Sequence, residues 1–316
     1  RGLAQERKIQ YPEALASLEG ALKLEPQNSL ALASRCRVMS QMGKYEEAIA
    51  TCDRALQVNK NWADSSPTEA WFLRGLALSR WGKYDEVLAS CPQTESASEQ
   101  AIALRNECIK KTRTFRLEGA ISSYEQALAL NPKFAPAWKY QGITLSELNR
   151  YVQGRNALET AVKIYPNNAL ALVNLCATLN KLGNYQEAVT ACEGALQGDG
   201  NWEESGPADA LMQKGQALAG LKRYEEAIAS IDRTLSLKPN WAIAWNAKSV
   251  ILWQAEKYQE ALQANDRALA SAPNYFQGWF NRGRVLRAMQ QNQAAIAAYD
   301  RAIVSDVTLV PAASIA

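Results

Sequence analysis

Residues 245–278 read WNAKSVILWQAEKYQEALQANDRALASAPNYFQG, and residues 279–312 read WFNRGRVLRAMQQNQAAIAAYDRAIVSDVTLVPA. Laid over one another, Trp245, Ser249, Leu252, Tyr258, Ala261, Ala268 and Pro273 fall on Trp279, Gly283, Leu286, Asn292, Ala295, Ala302 and Val307. A period of 34 residues with large and small side chains in fixed columns marks a helix-turn-helix unit that stacks on copies of itself. Neither helix of such a unit hides its apolar edge alone, so the period decides the fold before any other feature is read.

Followed outward, the columns run through the chain. One is held by Leu32, Trp71, Leu104, Trp138, Leu172, Leu211, Trp245 and Trp279, and another by Tyr11, Tyr45, Tyr84, Tyr151, Tyr185, Tyr224 and Tyr258. Pro26, Pro132, Pro166, Pro239 and Pro273 share a third, where a ring without an N–H ends one helix and opens the next turn. These columns resemble the tetratricopeptide repeat family, which places Trp or Leu at repeat position 4, Gly or Ala at 8, Leu at 11, Tyr at 17, Ala at 20 and 27, and Pro at 32. The resemblance implies an all-α fold, a right-handed α-solenoid of stacked antiparallel helix pairs. Large residues at 4, 11 and 17 fill each pair, and small ones at 8, 20 and 27 let its helices approach.

The expected organisation is a single array over 1–316. Its units are 1–28, 29–67, 68–100, 101–134, 135–168, 169–207, 208–241, 242–275 and 276–309, followed by a tail at 310–316. Successive units are spaced by 34, 39, 33, 34, 34, 39, 34 and 34 residues. The two long spacings carry matching inserts, Trp62 to Pro67 and Trp202 to Pro207, 140 residues apart, so residues 1–134 and 135–274 read as copies of one four-hairpin block. Both inserts are expected to be ordered, with Ser66, Pro67 and Glu69 spaced as a capping box. Residues 91–117 depart most: Cys91-Pro92 should break a helix, and Lys111 stands where Leu is expected. Gly2 falls at position 8, so the first unit is expected to lack its opening residues and the chain to be a fragment of a longer one.

Function classes are narrowed by composition. With no His, the commonest general base and metal ligand is missing. The net charge of +3 is too slight for a phosphate-binding stripe, which argues against nucleic acid, and no apolar run is long enough to span a membrane. Cys36, Cys108 and Cys176 occupy position 8 while Cys52, Cys91 and Cys192 occupy position 24. They read as small free core residues in a reducing compartment, and the expected location is cytoplasmic. Gly75 to Tyr84 imitates a phosphate loop, but six residues separate its glycines where four are needed. The pairs Glu46-Glu47 and Glu225-Glu226 suit the first turn of a helix on a solvated face. No catalytic, cofactor-binding or metal-binding residue is expected, and the chain is expected not to be an enzyme.

The resemblance implies a concave wall lined by first-helix positions 2, 5, 6, 9, 12 and 13, where family members hold a segment of a partner. Here the candidate residues are Arg37, Arg80, Arg105, Asn106, Arg113, Lys139, Tyr140, Asn174, Gln213, Asn246, Trp253, Asn281 and Arg284. Asn can bond both groups of an extended backbone, Arg can grip a carboxylate, and aromatics can anchor. Arg80, Arg105 and Lys139, expected on three successive hairpins, are the leading contacts for an acidic segment. The family's clamp for a terminal carboxylate is not matched, since Lys139 is followed by Ile143 in place of Asn, and Asp209 and Gln213 hold its last two places. The expected function is a protein-binding scaffold of bacterial type. The alternatives are a regulatory or substrate-recruiting arm of a larger enzyme, and a self-assembly module.

Overall fold

The computed structural model describes residues 2–63, 66–82, 99–203 and 205–308, with the side chains of 2–9, 99–102, 105 and 306–308 outside that description. Fifteen helices and no strand occur among these residues. They fall into two compact units, Arg1–Ile164 and Tyr165–Ala316. The first holds α1 (Gly2–Leu24), α2 (Ser29–Gln41), α3 (Tyr45–Val58), α4 (Pro67–Trp81), α5 (Glu99–Leu130), α6 (Ala135–Glu147) and α7 (Tyr151–Ile164). The second holds α8 (Ala169–Leu182), α9 (Tyr185–Leu196), α10 (Pro207–Gly220), α11 (Tyr224–Leu237), α12 (Ala242–Gln254), α13 (Tyr258–Ser271), α14 (Phe276–Ala288) and α15 (Asn292–Thr308). Consecutive helices pack as pairs, α2 on α3, α4 on α5 and α6 on α7 in the first unit, and α8 on α9 through α14 on α15 in the second.

Each pair is closest where position 8 of its first helix meets position 24 of its second. A Cβ on Gly142 would lie 2.6 Å from Leu158 Cγ, and one on Gly215 would lie 2.7 Å from Ile231 Cδ1, so a glycine is needed wherever position 24 is large. Two pairs solve the same contact with sulfur. Cys36 bonds Cys52 and Cys176 bonds Cys192, each with Cα atoms 5.4 Å apart, and Cys108 is also disulfide-bonded. The expectation of free core cysteines is therefore corrected: no free cysteine occurs among the described residues. The two columns face one another across the pair, so a cysteine in each stands at disulfide distance.

The turn inside a pair also has a fixed residue. Gly43, Asn149, Gly183, Lys222, Glu256 and Gln290 all stand at position 15, and all have positive φ, between 60° and 78°. Only a left-handed residue there reverses the chain into the second helix. The two units that depart from the expected hairpins lack such a residue. Position 15 is Ile9 in the first and Phe115 in the fourth, and bulky or β-branched side chains are strained in the left-handed region. Accordingly α1 runs unbroken from Gly2 to Leu24, and α5 is one helix of 32 residues where a hairpin over 101–134 was expected. The partner of α4 is thus the C-terminal half of α5: a Cβ on Gly75 would lie 2.5 Å from Tyr124 Cε1, and Arg116 donates to the Trp81 carbonyl at 2.8 Å. Gly82, also at position 15, keeps a φ of −76°, and the predicted helix break at Cys91-Pro92 lies outside the described residues.

Neighbouring pairs are held by two recurring contacts. The indole N–H of Trp138, Trp245 and Trp279 donates to the carbonyl of Pro132, Pro239 and Pro273, at 2.8, 2.8 and 2.7 Å, which ties the Trp column to the Pro column. The second contact is an ion pair from a base at position 7 to an acid at position 25 of the preceding pair. It occurs as Arg35–Glu19 at 3.8 Å and Arg74–Asp53 at 2.6 Å in the first unit, and as Lys214–Glu193, Lys248–Asp232 and Arg282–Asp266 at 2.7, 2.6 and 3.1 Å in the second.

The backbone repeats over the 140-residue shift. Asn28 and Asn168 each cap a helix by accepting from the amide three residues on, at 2.9 and 2.8 Å, and Ala63 and Glu203 in the inserts share positive φ of 49° and 52°. The capping box differs from expectation. Ser66 stands at the N-cap of α4 without a side-chain cap bond, and Glu69 pairs instead with Arg37.

Candidate functional site

In the first unit the candidate residues scatter. Arg37 is engaged by Glu69 across α2 and α4. Lys139 is buried to 7% exposure with its ammonium 4.6 Å from the Tyr140 ring centre, so its charge does not face solvent as expected. Tyr140 belongs to an aromatic cluster with Phe72 and Tyr124, centroids 5.7 and 6.4 Å away. Burial holds the Tyr124 phenol protonated well above its ordinary range; Arg80 counters this weakly. Asn106 is exposed on α5, Arg113 buries an Nε without a partner, and the side chain of Arg105 lies outside the described residues. Since α5 is continuous, Arg80, Arg105 and Lys139 do not stand on three successive hairpins.

The second unit gathers its candidates. First helices α8, α10, α12 and α14 lie side by side because each packs on the next. On α8, Asn174 spends its amide on the Leu170 carbonyl of its own helix, at 2.8 Å. Six residues on, Asn180 reaches α10, donating to the backbone and side-chain oxygens of Gln213 at 2.9 and 3.1 Å. Between α12 and α14, four candidates meet. Asn281 Nδ2 donates to Asn246 Oδ1 at 3.0 Å, Arg284 donates to Asn281 Oδ1 at 3.2 Å, and the Arg284 guanidinium lies 4.0 Å from the Trp253 ring centre.

This arrangement has a definite chemistry. Stacking on the indole fixes the plane of the guanidinium, and the amide chain holds one of its nitrogens, so its remaining donors are preorganised for an oxyanion or a carbonyl. Trp253 Nε1 is buried without an acceptor. Tyr275, at the N-cap of α14, shares its phenol with Asn246, and burial raises its pKa. Also on α14, Phe280 is 44% exposed, stacked on Phe276 and tilted on Tyr299 of α15, with centroids 6.1 and 5.7 Å apart. Sequence reasoning missed Asn180 and Tyr275. Asn180 occupies position 12, the column that pointed to Trp253, whereas Tyr275 precedes its helix and no helical column could have found it. Among the described residues, no three His, Cys, Asp or Glu gather to hold a metal ion, and no helix is long and apolar enough to cross a membrane.

Comparison with known proteins agrees with this architecture. One profile described as "Tetratricopeptide repeat" matches residues 116–169, 141–201, 181–242 and 212–276, a second matches 6–66 and a third 276–304. The chain is similar to Hsp70-Hsp90 organizing protein 1 of Glycine max, 25% identical over 240 residues that cover 76% of this chain and 41% of that protein. It therefore spans about two-fifths of the length of that curated relative. Among solved structures, a tetratricopeptide repeat protein of Parabacteroides merdae shares the fold with a TM-score of 0.58 at 15% identity, covering 88% of this chain and 93% of that one. PilW, a type IV pilus biogenesis factor, does so at 0.54 and 20% identity, covering 64% of this chain and 91% of that one.

Proposed function

We propose, for a chain that belongs to the tetratricopeptide repeat family, that it is an adaptor gripping an acidic segment of another protein between α12 and α14. The observation that carries this reading is the chain Asn246–Asn281–Arg284–Trp253, which holds one oriented guanidinium on the same helix as the exposed Phe280, four residues away. A relative named for organising two chaperones supports the adaptor part, and the guanidinium supports the acidic part. A carboxylate would accept from Arg284, a neighbouring backbone would bond the Asn amides, and an apolar side chain would rest on Phe280. Disulfides persist in oxidising compartments, so the paired cysteines support such a location in place of the expected cytoplasm.

The test is a fluorescent peptide array of extended sequences differing in charge, read by anisotropy against the wild-type chain and the Arg284→Glu and Asn281→Ala variants. Acidic peptides should bind best and lose about tenfold or more in affinity on Arg284→Glu, with a smaller loss on Asn281→Ala. Equal binding of basic and acidic peptides, or an Arg284→Glu variant as good as wild type, would overturn the reading.

A further inference from the structure

In two pairs the base at position 7, which meets the acid of the preceding pair, also crosses the indole at position 4. Lys248 Nζ lies 2.6 Å from Asp232 Oδ1 and 5.6 Å from the Trp245 ring centre. Arg74 Nε lies 2.6 Å from Asp53 Oδ1, and its guanidinium carbon 5.8 Å from the Trp71 ring centre. A cation in that place is held twice, by a carboxylate and by the face of an indole.

The pair α6–α7 has both holders and no base. Trp138 stands at position 4, and its indole is fixed as that of Trp245 is, by donating to the carbonyl of the proline six residues back at 2.8 Å. Glu125, on α5, stands at position 25 of the preceding pair. Position 7 is Gln141, in a column that elsewhere carries Arg35, Arg74, Lys214, Lys248 and Arg282. Gln141 is 7% exposed, yet its amide forms no hydrogen bond among the described residues. Glu125 is exposed and forms no ion pair among them, and no described cation lies over the Trp138 ring. These three side chains line one groove of about 370 Å³, large enough for a small ligand, together with the apolar Ile121 and Leu145. The cation that also lines it, Arg150, is engaged by both carboxylate oxygens of Glu118.

We propose that this groove binds an alkylammonium or alkylguanidinium ion, with the charge between the Glu125 carboxylate and the Trp138 ring, as the charges of Lys248 and Arg74 lie in their own pairs. The Gln141 carbonyl oxygen accepts a hydrogen bond from the ion, and Ile121 and Leu145 take its alkyl stem. The site arises from one residue, Gln141, in a column of bases, and does not depend on the α12–α14 site.

The experiment titrates n-butylammonium into the ¹⁵N-labelled whole chain at constant ionic strength and follows the indole N–H resonances, assigned by single Trp→Phe variants. A saturable shift is expected at Trp138 and not at Trp71 or Trp245, whose faces already carry Arg74 and Lys248. Glu125→Gln, isosteric and on an exposed side chain, should weaken it at least about fivefold, and Gln141→Lys, which copies Lys248, should abolish it. The two sources of such a cation are compared in parallel titrations with N-acetyl-lysine methylamide and spermidine. The larger Trp138 shift at equal concentration assigns the ion to a protein side chain or to a free polyamine. The proposal is overturned if Trp138 shows no saturable shift, if n-butanol shifts it equally, if Trp245 responds as Trp138 does, or if both variants titrate like wild type.

Discussion

At the scale of single residues, the turn at position 15 governs where the chain reverses. Gly43 and Gly183 take positive φ without strain and Asn149 takes it readily, but Lys222, Glu256 and Gln290 hold φ of 61°, 61° and 62° with a side chain attached. A non-glycine residue in that region costs about 1–2 kcal/mol, part of which glycine gives back through the greater freedom of its unfolded chain. Lys222→Gly, Glu256→Gly and Gln290→Gly should each raise stability by about 0.5–1 kcal/mol in urea unfolding, while Asn149→Gly should change it less. If the three substitutions destabilise instead, the left-handed turn is not what strains these hairpins. The same column was readable in the sequence. Ile9 and Phe115 stand there in plain view, yet the family pattern directed attention to positions 4, 8, 11, 17, 20, 27 and 32, none of which distinguishes a reversing hairpin from a straight helix.

At the scale of the helix pair, the contact between positions 8 and 24 is filled in three ways. Gly meets a large residue in the pairs led by α4, α6, α10 and α14, Cys meets Cys in those led by α2 and α8, and Ser249 with Asn265 holds the corresponding places in the pair led by α12. The last is the weakest. Asn265 is fully buried with neither amide atom bonded, and the Ser249 hydroxyl is buried without a partner as well. Each unsatisfied buried group costs about 1–3 kcal/mol, so the double variant Ser249→Gly/Asn265→Ile, copied from Gly215 and Ile231, should stabilise the chain by about 1–3 kcal/mol. Thermal unfolding checks this, and a lowered Tm would mean that the polar pair has a partner in solution. The helix pairs themselves were legible because burial obeys the helical period. The cysteine pairing was not: position 8 accepts any small residue, and a thiol satisfies that demand whether or not it is oxidised. The candidate site divides similarly. Asn246, Trp253, Asn281 and Arg284 were found because helical columns align neighbouring first helices, but Lys139, in the column of Asn246 and buried like it, lies against the Tyr140 ring, a contact that no column encodes.

At the scale of the whole molecule, a stack of pairs is coupled mainly to nearest neighbours, so a local defect should remain local. The disulfides test this because two of them sit in equivalent pairs of the two compact units, 140 residues apart. Each closes a loop of 16 residues, for which the lost chain entropy of the unfolded state corresponds to about 3 kcal/mol. Replacing Cys36 and Cys52 together by Ala should therefore speed amide hydrogen exchange in α2 and α3, and to a lesser degree in α1 and α4, which pack on them. The equivalent pair α8–α9, stapled by its own Cys176–Cys192 bond, should keep wild-type protection, and the Cys176→Ala/Cys192→Ala variant should give the mirror result. Exchange followed by mass spectrometry distinguishes the outcomes, since a chain that unfolds all at once would show equal acceleration in both pairs from either variant. Local acceleration would also explain how α5 can run straight through a place where the repeat calls for a turn: the fault is confined to its neighbours, and the pairs beyond it keep their register.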